Sequence, residues 1–395
     1  MAESVTKSQI AAFRLNAHHL AGRLSEKSLL DAAGACGVQN SPPGSASLAL
    51  HARVENVTSE RMNEAVAGEK SLLQTWCVRG APFYFPTADG SVFTSGVLPV
   101  TEKAQRHFIL GVEQSLDRLG MSVAEVVGLI ADRIGDILSG RQLAINELGA
   151  ETATRIASVL PGKQRTIWEA EGPYAKGQPL GEAIVHFCLR ILTLQGIVCF
   201  APRTGNKAPF VLVEEWLGHS LPQIDPTAAR AELLRRYLRC YGPSTRKDFA
   251  AWLGVFAGDV DPWWNPVENE LTPVDVNGPA WILTESLDAL RASSPATGVR
   301  LLPPRDPYTQ LRDRESIADK KFHREIWKTL GDPGVLLVDG AVSGTWRPRK
   351  TGRKLTIAVR AFSSLPASRK KALQNEAEAV ATLRGATTLD LEWSG

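Results

Sequence analysis

The stretch Gly37-Val-Gln39-Asn40-Ser41-Pro42-Pro43-Gly44-Ser45 carries two carboxamides and two hydroxyls in a loop that its proline pair and glycine keep out of regular structure. A side-chain amide donates and accepts without titrating, so Gln39, Asn40 and Ser41 are candidate catalytic residues able to orient a water or a polar reacting group. The same residues suit a plain turn, in which Ser45 caps a helix over 46–54 and the amides satisfy backbone donors. On the residues alone both readings stand.

Three groups of cations point to a polyanionic partner. Arg203 and Lys207 fall at the tip of a hairpin between Ile197-Val-Cys-Phe-Ala and Phe210-Val-Leu-Val, where a wing would touch phosphates. Arg246 and Lys247 fall in the first turn of a helix, where the macrodipole disfavours cations unless an anion is near. The densest cluster is Arg349, Lys350 and Arg353, with Arg347 and Lys354 beside them, on the loop between strands expected over 342–348 and 354–360. A β-ribbon with a basic tip fits a nucleic-acid groove, although each of the three groups also reads as a solvated turn or face.

A chain of 395 residues with 44% hydrophobic content is long enough for two to four cores. No apolar run approaches the roughly 20 residues that cross a bilayer, and the start Met1-Ala-Glu-Ser-Val-Thr-Lys7 has no secretory core, so a cytoplasmic location is expected. The five cysteines are scattered without a Cys-x-x-Cys pair and read as small buried thiols. His18, His19 and His51 have no second ligand cluster at metal spacing, so no metal is expected, and no cofactor either. A net charge of +3 argues for a local basic stripe, not a uniformly cationic coat. No oligomerisation seam is evident, so a monomer is expected.

The elements that must position these residues follow from periodicity. Around Tyr237–Val255, Gly242-Pro243 ends one helix, Ser244 offers an N-cap, and Phe249, Trp252 and Leu253 fall at i, i+3, i+4 of a second, giving a helix-turn-helix. Helical patterns over 7–23, 25–35, 46–54 and 59–68 precede a β-rich stretch, 72–85, that turns at Arg79-Gly80: the element order of a winged helix. Helices are expected over 103–119, 122–138, 147–160 and 180–194, the second opened by a Ser122/Glu125 capping box. Hairpins through Asn277-Gly278 and Asp339-Gly340, a helix near 320–328, a helix over 368–383 and a strand over 387–393 complete the pattern. The fold class is therefore α+β and mainly helical: winged-helix units over 1–115, 116–225 and 226–298, then a β-rich domain over 299–395 with a basic hairpin.

Together with the phrases Leu-Leu-Pro-Pro-Arg-Asp-Pro-Tyr (301–308), Gly-Asp-Pro-Gly-Val-Leu-Leu-Val-Asp-Gly (331–340) and Gly-Thr-Trp (344–346), this pattern resembles the bacterial winged-helix DNA-binding proteins that include the AlkZ and YcaQ DNA glycosylases. The resemblance implies a C-shaped arrangement of tandem winged helices around double-stranded DNA, with a C-terminal β-hairpin probing a groove, and action on bulky or crosslinking alkylated purines. The family motif, Gln-Φ-Gln or Gln-Φ-Asp after a Gly and before a helix ending in Ala-Arg-Val, falls on Gly37-Val-Gln39-Asn40-Ser41 and Ala52-Arg53-Val54. Gln39 keeps the first position; Asn40 and Ser41 depart from the other two. By the resemblance, Gln39 would hold the attacking water, with Asn40 or, through a further water, Ser41 as second partner. The implied function is a monofunctional DNA glycosylase for alkylated purines, in DNA repair or in self-resistance to alkylating agents. No lysine is assigned as a Schiff-base nucleophile. The residues leave open a non-catalytic winged-helix regulator or lesion-binding protein.

Overall fold

In a computed structural model that describes residues 3–205, 207–276, 278–310, 313–328 and 330–393, helical groups alternate with short antiparallel pairs and end in one larger sheet. The chain begins with strand β1 (Glu3–Ser4) and helix Lys7–Ala17, whose first turn is closed by a Thr6/Gln9 capping box. Helices Leu29–Gly34, Ser45–Arg53 and Ser59–Asn63 then surround a sheet of β2 (Val38–Gln39), β3 (Leu72–Trp76) and β4 (Pro82–Pro86), ordered β2-β4-β3. The β3–β4 turn puts both Arg79 and Gly80 in the left-handed region, at φ 57 and 63.

The next group is set by helix Val123–Leu138, where the expected Ser122/Glu125 capping box forms and Val123, Val126, Ile130, Ile134 and Ile137 bury one stripe. Each such side chain stabilises the fold by about 2 kcal/mol relative to exposure. Helices Ile145–Ala157 and Leu180–Leu194 pack beside it, followed by the hairpin of β5 (Val198–Phe200) and β6 (Phe210–Leu212). One helix expected over 103–119 is two, Glu102–Phe108 and Glu113–Leu119, because Leu110 and Gly111 between them take φ 29 and 89.

Helices Pro226–Tyr241 and Arg246–Leu253 form the expected helix-turn-helix, with β7 (Leu271–Asp275) and β8 (Pro279–Leu283) behind it. Asn277 of the connecting turn lies outside the described residues. The N-cap of the second helix is Thr245, whose hydroxyl accepts from Asp248 N, and not Ser244, whose Oγ is 2.7 Å from the Tyr237 hydroxyl. The N-terminus joins this group: β1 pairs in parallel with β7, and Ile10 and Phe13 pack against Val274, Ile282 and Leu290.

The last sheet is ordered β13-β12-β11-β10-β9, from β9 (Val299–Leu302), β10 (Gly334–Val338), β11 (Ala341–Thr351), β12 (Lys354–Ala361) and β13 (Thr388–Trp393). Asp339 and Gly340 make its first turn at φ 50 and 80, and helix Ala367–Leu383 covers one face. One core joins that face to the first helical group, so Leu48 and Leu50 share it with Trp346, Ile357 and Val380. No helix among the described residues is long and apolar enough to cross a membrane.

Candidate active site

Gln39 ends β2 opposite Phe83 and is only 3% exposed. Its Oε1 accepts from Arg79 Nη2 at 3.5 Å, and the same nitrogen donates to Gln310 Oε1 at 3.3 Å. Arg79 Nη1 donates to the Trp252 carbonyl near the end of helix Arg246–Leu253. The fit there is close: a Cβ at Gly254, whose φ is 98, would lie 3.1 Å from Arg79 Cα. One guanidinium thus ties the Gln39 amide to the helix-turn-helix and to the turn after Pro307.

Asn40 is committed differently. Its Oδ1 accepts from Gly44 N at 2.8 Å and Ala46 N at 3.4 Å, so it caps helix Ser45–Arg53 in the role expected of Ser45. Gly44 occupies the N-cap position at φ 89, and Ser45 is the first helical residue. Ser41 is half-buried and precedes a cis bond to Pro42.

Asn40 and Ser41, but not Gln39, edge a cavity of about 550 Å³ that reaches across to the β5–β6 hairpin, with Gln74, Trp76, Phe200 and Phe210 among its walls. Trp76 lies 5.2 Å, centroid to centroid, from both Phe200 and Phe210, and the Arg190 guanidinium sits 4.8 Å from its ring. Arg203 and Lys207 border the same cavity, both exposed, and Lys207 Nζ lies 3.2 Å from Glu147 Oε1. Nearby, burial pushes the Tyr84 phenol up to about 12, against the pull of the Arg203 charge.

Behind the loop, Arg53 and Asp306 form a two-pronged pair at 2.8 and 2.7 Å, both side chains buried. Asp306 also accepts from Tyr308 N at 2.9 Å. The pair links Ala52-Arg53-Val54 to Pro304-Arg305-Asp306-Pro307, two phrases that lie far apart in sequence.

The remaining cations are elsewhere. Arg246 pairs with Asp261 and lies 5.4 Å over the Trp264 ring, while Lys247 is exposed. The basic hairpin is longer than expected: Arg349 and Lys350 are paired with Thr356 and Leu355 inside the ladder, and the turn itself is Gly352-Arg353. Strand alternation therefore puts Arg347 and Arg349 on one face and Lys350 on the other. Lys350 Nζ donates to the Arg384 carbonyl at 2.5 Å, Arg347 Nη2 to the Gly331 carbonyl at 2.5 Å, and Arg349 is 3.8 Å from Glu392. Arg353 is exposed at the tip.

Sequence reasoning missed Arg79, Gln74, Trp76 and Glu147. Only Arg79 left a signal, as a non-glycine residue at a turn that requires positive φ. Ligand spacing along the chain also misses a convergence in space: His18, Cys36 and Cys240, all buried, each place a ligand atom within 4.8 Å of the others.

Fold and site together define the class: an α+β protein of serial helix-and-hairpin groups, with an amide-edged aromatic cavity bordered by cations. The family model described as DNA glycosylase AlkZ-like matches residues 32–383, and the chain belongs to that family. DNA is accordingly its substrate class. The interstrand DNA cross-link repair glycosylase of Streptomyces sahachiroi is 26% identical over 394 residues, covering 96% of this chain and 97% of that protein. The solved structure of the Streptomyces sahachiroi DNA glycosylase AlkZ matches with a TM-score of 0.75 at 25% identity, covering 99% of this chain and 100% of that one.

Proposed function

We propose that the protein is a monofunctional DNA glycosylase that hydrolyses the N-glycosidic bond of alkylated purines in double-stranded DNA. The observation that carries this reading is the cavity edged by Asn40 and Ser41, whose aromatic walls suit a purine and whose Arg203 and Lys207 suit the phosphates around it. A purine alkylated at N7 or N3 is already cationic, so the bond from C1′ to its ring nitrogen breaks heterolytically and the pair of electrons neutralises the base. The sugar is left as an oxocarbenium ion, which takes the oxygen of water and releases a proton. Gln39, buried directly behind Asn40 at the cavity's edge, needs only to aim that water, with its Oε1 turned toward Arg79 Nη2 at 3.5 Å. Lys207 is exposed and ion-paired with Glu147, not desolvated as a Schiff-base amine would be, so the phosphodiester strand stays intact.

The test is incubation with duplex DNA carrying N7-alkylguanine, followed by alkali to reveal abasic sites. Wild-type protein should generate them, with no nicks before alkali, and Gln39→Ala should slow release by about 100-fold. A second reading is favoured by Asn40 and Ser41, since one is taken up by the helix cap and the other is short where the family motif has an amide or carboxylate. On that reading the chain binds DNA or shields lesions without cutting the glycosidic bond. Tight, salt-sensitive DNA binding with no base release from wild type would establish it and exclude the first.

A further inference from the structure

His18 follows helix Lys7–Ala17 as its C-cap, Cys36 follows helix Leu29–Gly34, and Cys240 is in the last turn of helix Pro226–Tyr241. They are 1%, 4% and 2% exposed. A buried imidazole ordinarily satisfies its ring nitrogens, yet among the described residues His18 Nε2 makes no hydrogen bond and has the Cys36 thiol as its polar neighbour. Beside it stand the edges of Tyr241 and Tyr308, with centroids at 4.8 and 5.6 Å, and the two sulfurs.

We propose that His18, Cys36 and Cys240 bind a thiophilic divalent cation, Zn²⁺ above all, that fastens the N-terminal helix and the helix-turn-helix to the start of the Gln39 strand. Nitrogen and sulfur ligands at zinc distances of roughly 2.0 and 2.3 Å form tetrahedral edges of roughly 3.5–3.8 Å, so ligand atoms already within 4.8 Å need only small shifts to close on the ion. Loading replaces both thiol protons: two S–H bonds break, two S–metal bonds form and two protons leave to solvent. The resulting pair of thiolates cancels the 2+ charge, which removes the penalty for burying it.

The fold supplies two further reasons for a cation. Helices Lys7–Ala17 and Pro226–Tyr241 both direct their C-terminal, partially negative ends at the site. The backbone contacts of the thiols are long, Cys36 Sγ to Gly37 O at 3.7 Å and Cys240 Sγ to Ala35 O at 3.5 Å. Three protein ligands leave a fourth position, and the Tyr241 hydroxyl, 3.7 Å from Cys36 Sγ, is the adjoining oxygen that can fill it. Cys36 lies three residues before Gln39, so the ion would set the strand that carries the amide without touching the reacting atoms. The inference rests on the fold and is independent of the proposed reaction.

The test uses the full chain, purified under reducing conditions without chelator. Elemental analysis should find about one zinc per chain, and Co²⁺ added to protein stripped of metal should give a thiolate-to-cobalt absorption band. His18→Ala and the double variant Cys36→Ser/Cys240→Ser should lose both, whereas Cys199→Ser, buried in the β5–β6 hairpin, should keep both. Zn²⁺ alone should raise the thermal midpoint of the stripped wild type and of Cys199→Ser but not of the triad variants. The wild-type cobalt spectrum decides the matter even where a variant fails to fold. Folded wild type that takes up no zinc and shows no thiolate band overturns the proposal, as does protein two hydrogens lighter with Cys36 and Cys240 joined in a disulfide.

Discussion

The Gln39 loop and the basic hairpin β11–β12 carry the same expectation, contact with DNA, and are built in opposite ways. In the loop, Gln39 and Asn40 are buried and bonded to internal partners, and the helix that follows is anchored by the Arg53–Asp306 pair. On the hairpin, Arg347, Arg349, Lys350 and Arg353 are all exposed. The difference separates two kinds of functional residue. Buried polar groups hold a geometry that the fold has already stabilised, so changing them disturbs fold and function together. Exposed cations are worth little to the fold because water screens them, so changing them acts on the partner alone.

Substitutions can break or sharpen that contrast. The largest effect is expected at Arg53→Ala or Asp306→Ala: each strands a buried charge and should cost about 3–5 kcal/mol in urea denaturation. The paired apolar replacement Arg53→Met/Asp306→Leu should cost less than either; equal or greater loss would mean the pair is not acting as a unit. Asn40→Ala comes next, at about 1 kcal/mol, because it removes the cap from helix Ser45–Arg53. An unchanged denaturation midpoint there would return Asn40 to the list of residues available for catalysis.

A smaller effect depends on pH. Burial holds the pKa of His51 below its ordinary 6.5, outweighing the attraction of Glu376 at 3.9 Å, and neither ring nitrogen has a hydrogen-bond partner among the described residues. Below 6.5 the unfolded chain therefore binds more protons at this position than the folded one. Stability should fall as pH drops through 6.5 toward the lower folded value, with His19 and His186, shifted the same way, adding to the slope. Comparing urea midpoints at about pH 7.5 and about pH 5.5 should show the loss, and His51→Leu should flatten part of it.

The smallest stability change, within about 0.5 kcal/mol, is expected for Lys350→Ala and Arg353→Ala. Their effect should appear in DNA affinity, with each lowering the slope of log affinity against log salt by about one unit. A hairpin variant that melts early while binding normally would erase the distinction between the two regions.

What could be read along the chain was what depends on neighbours a few residues away. Helix Val123–Leu138 announces itself by its apolar stripe and the Ser122/Glu125 box, the break at Gly242-Pro243 by chain geometry, and the Asp339-Gly340 turn by its need for positive φ. The Gly37–Ser45 loop was legible as a place rich in polar groups, and the comparison with its family follows from phrases that survive in sequence. Local pattern could not tell which hydroxyl or amide caps which helix. Ser45 and Ser244 are well placed by number, but Asn40 and Thr245 are better placed in space.

Everything that joins distant segments was decided by packing. Arg53 meets Asp306 across 253 positions, Arg79 reaches Trp252 and Gln310, Arg203 and Lys207 come to the rim beside Ser41, and His18 finds two cysteines that follow no spacing rule. The physical reason is that a hydrogen bond or ion pair is short in range and directional, while the hydrophobic burial that brings its partners together is neither. Amino-acid order therefore specifies which groups are available, and only the closed cores determine which of them meet.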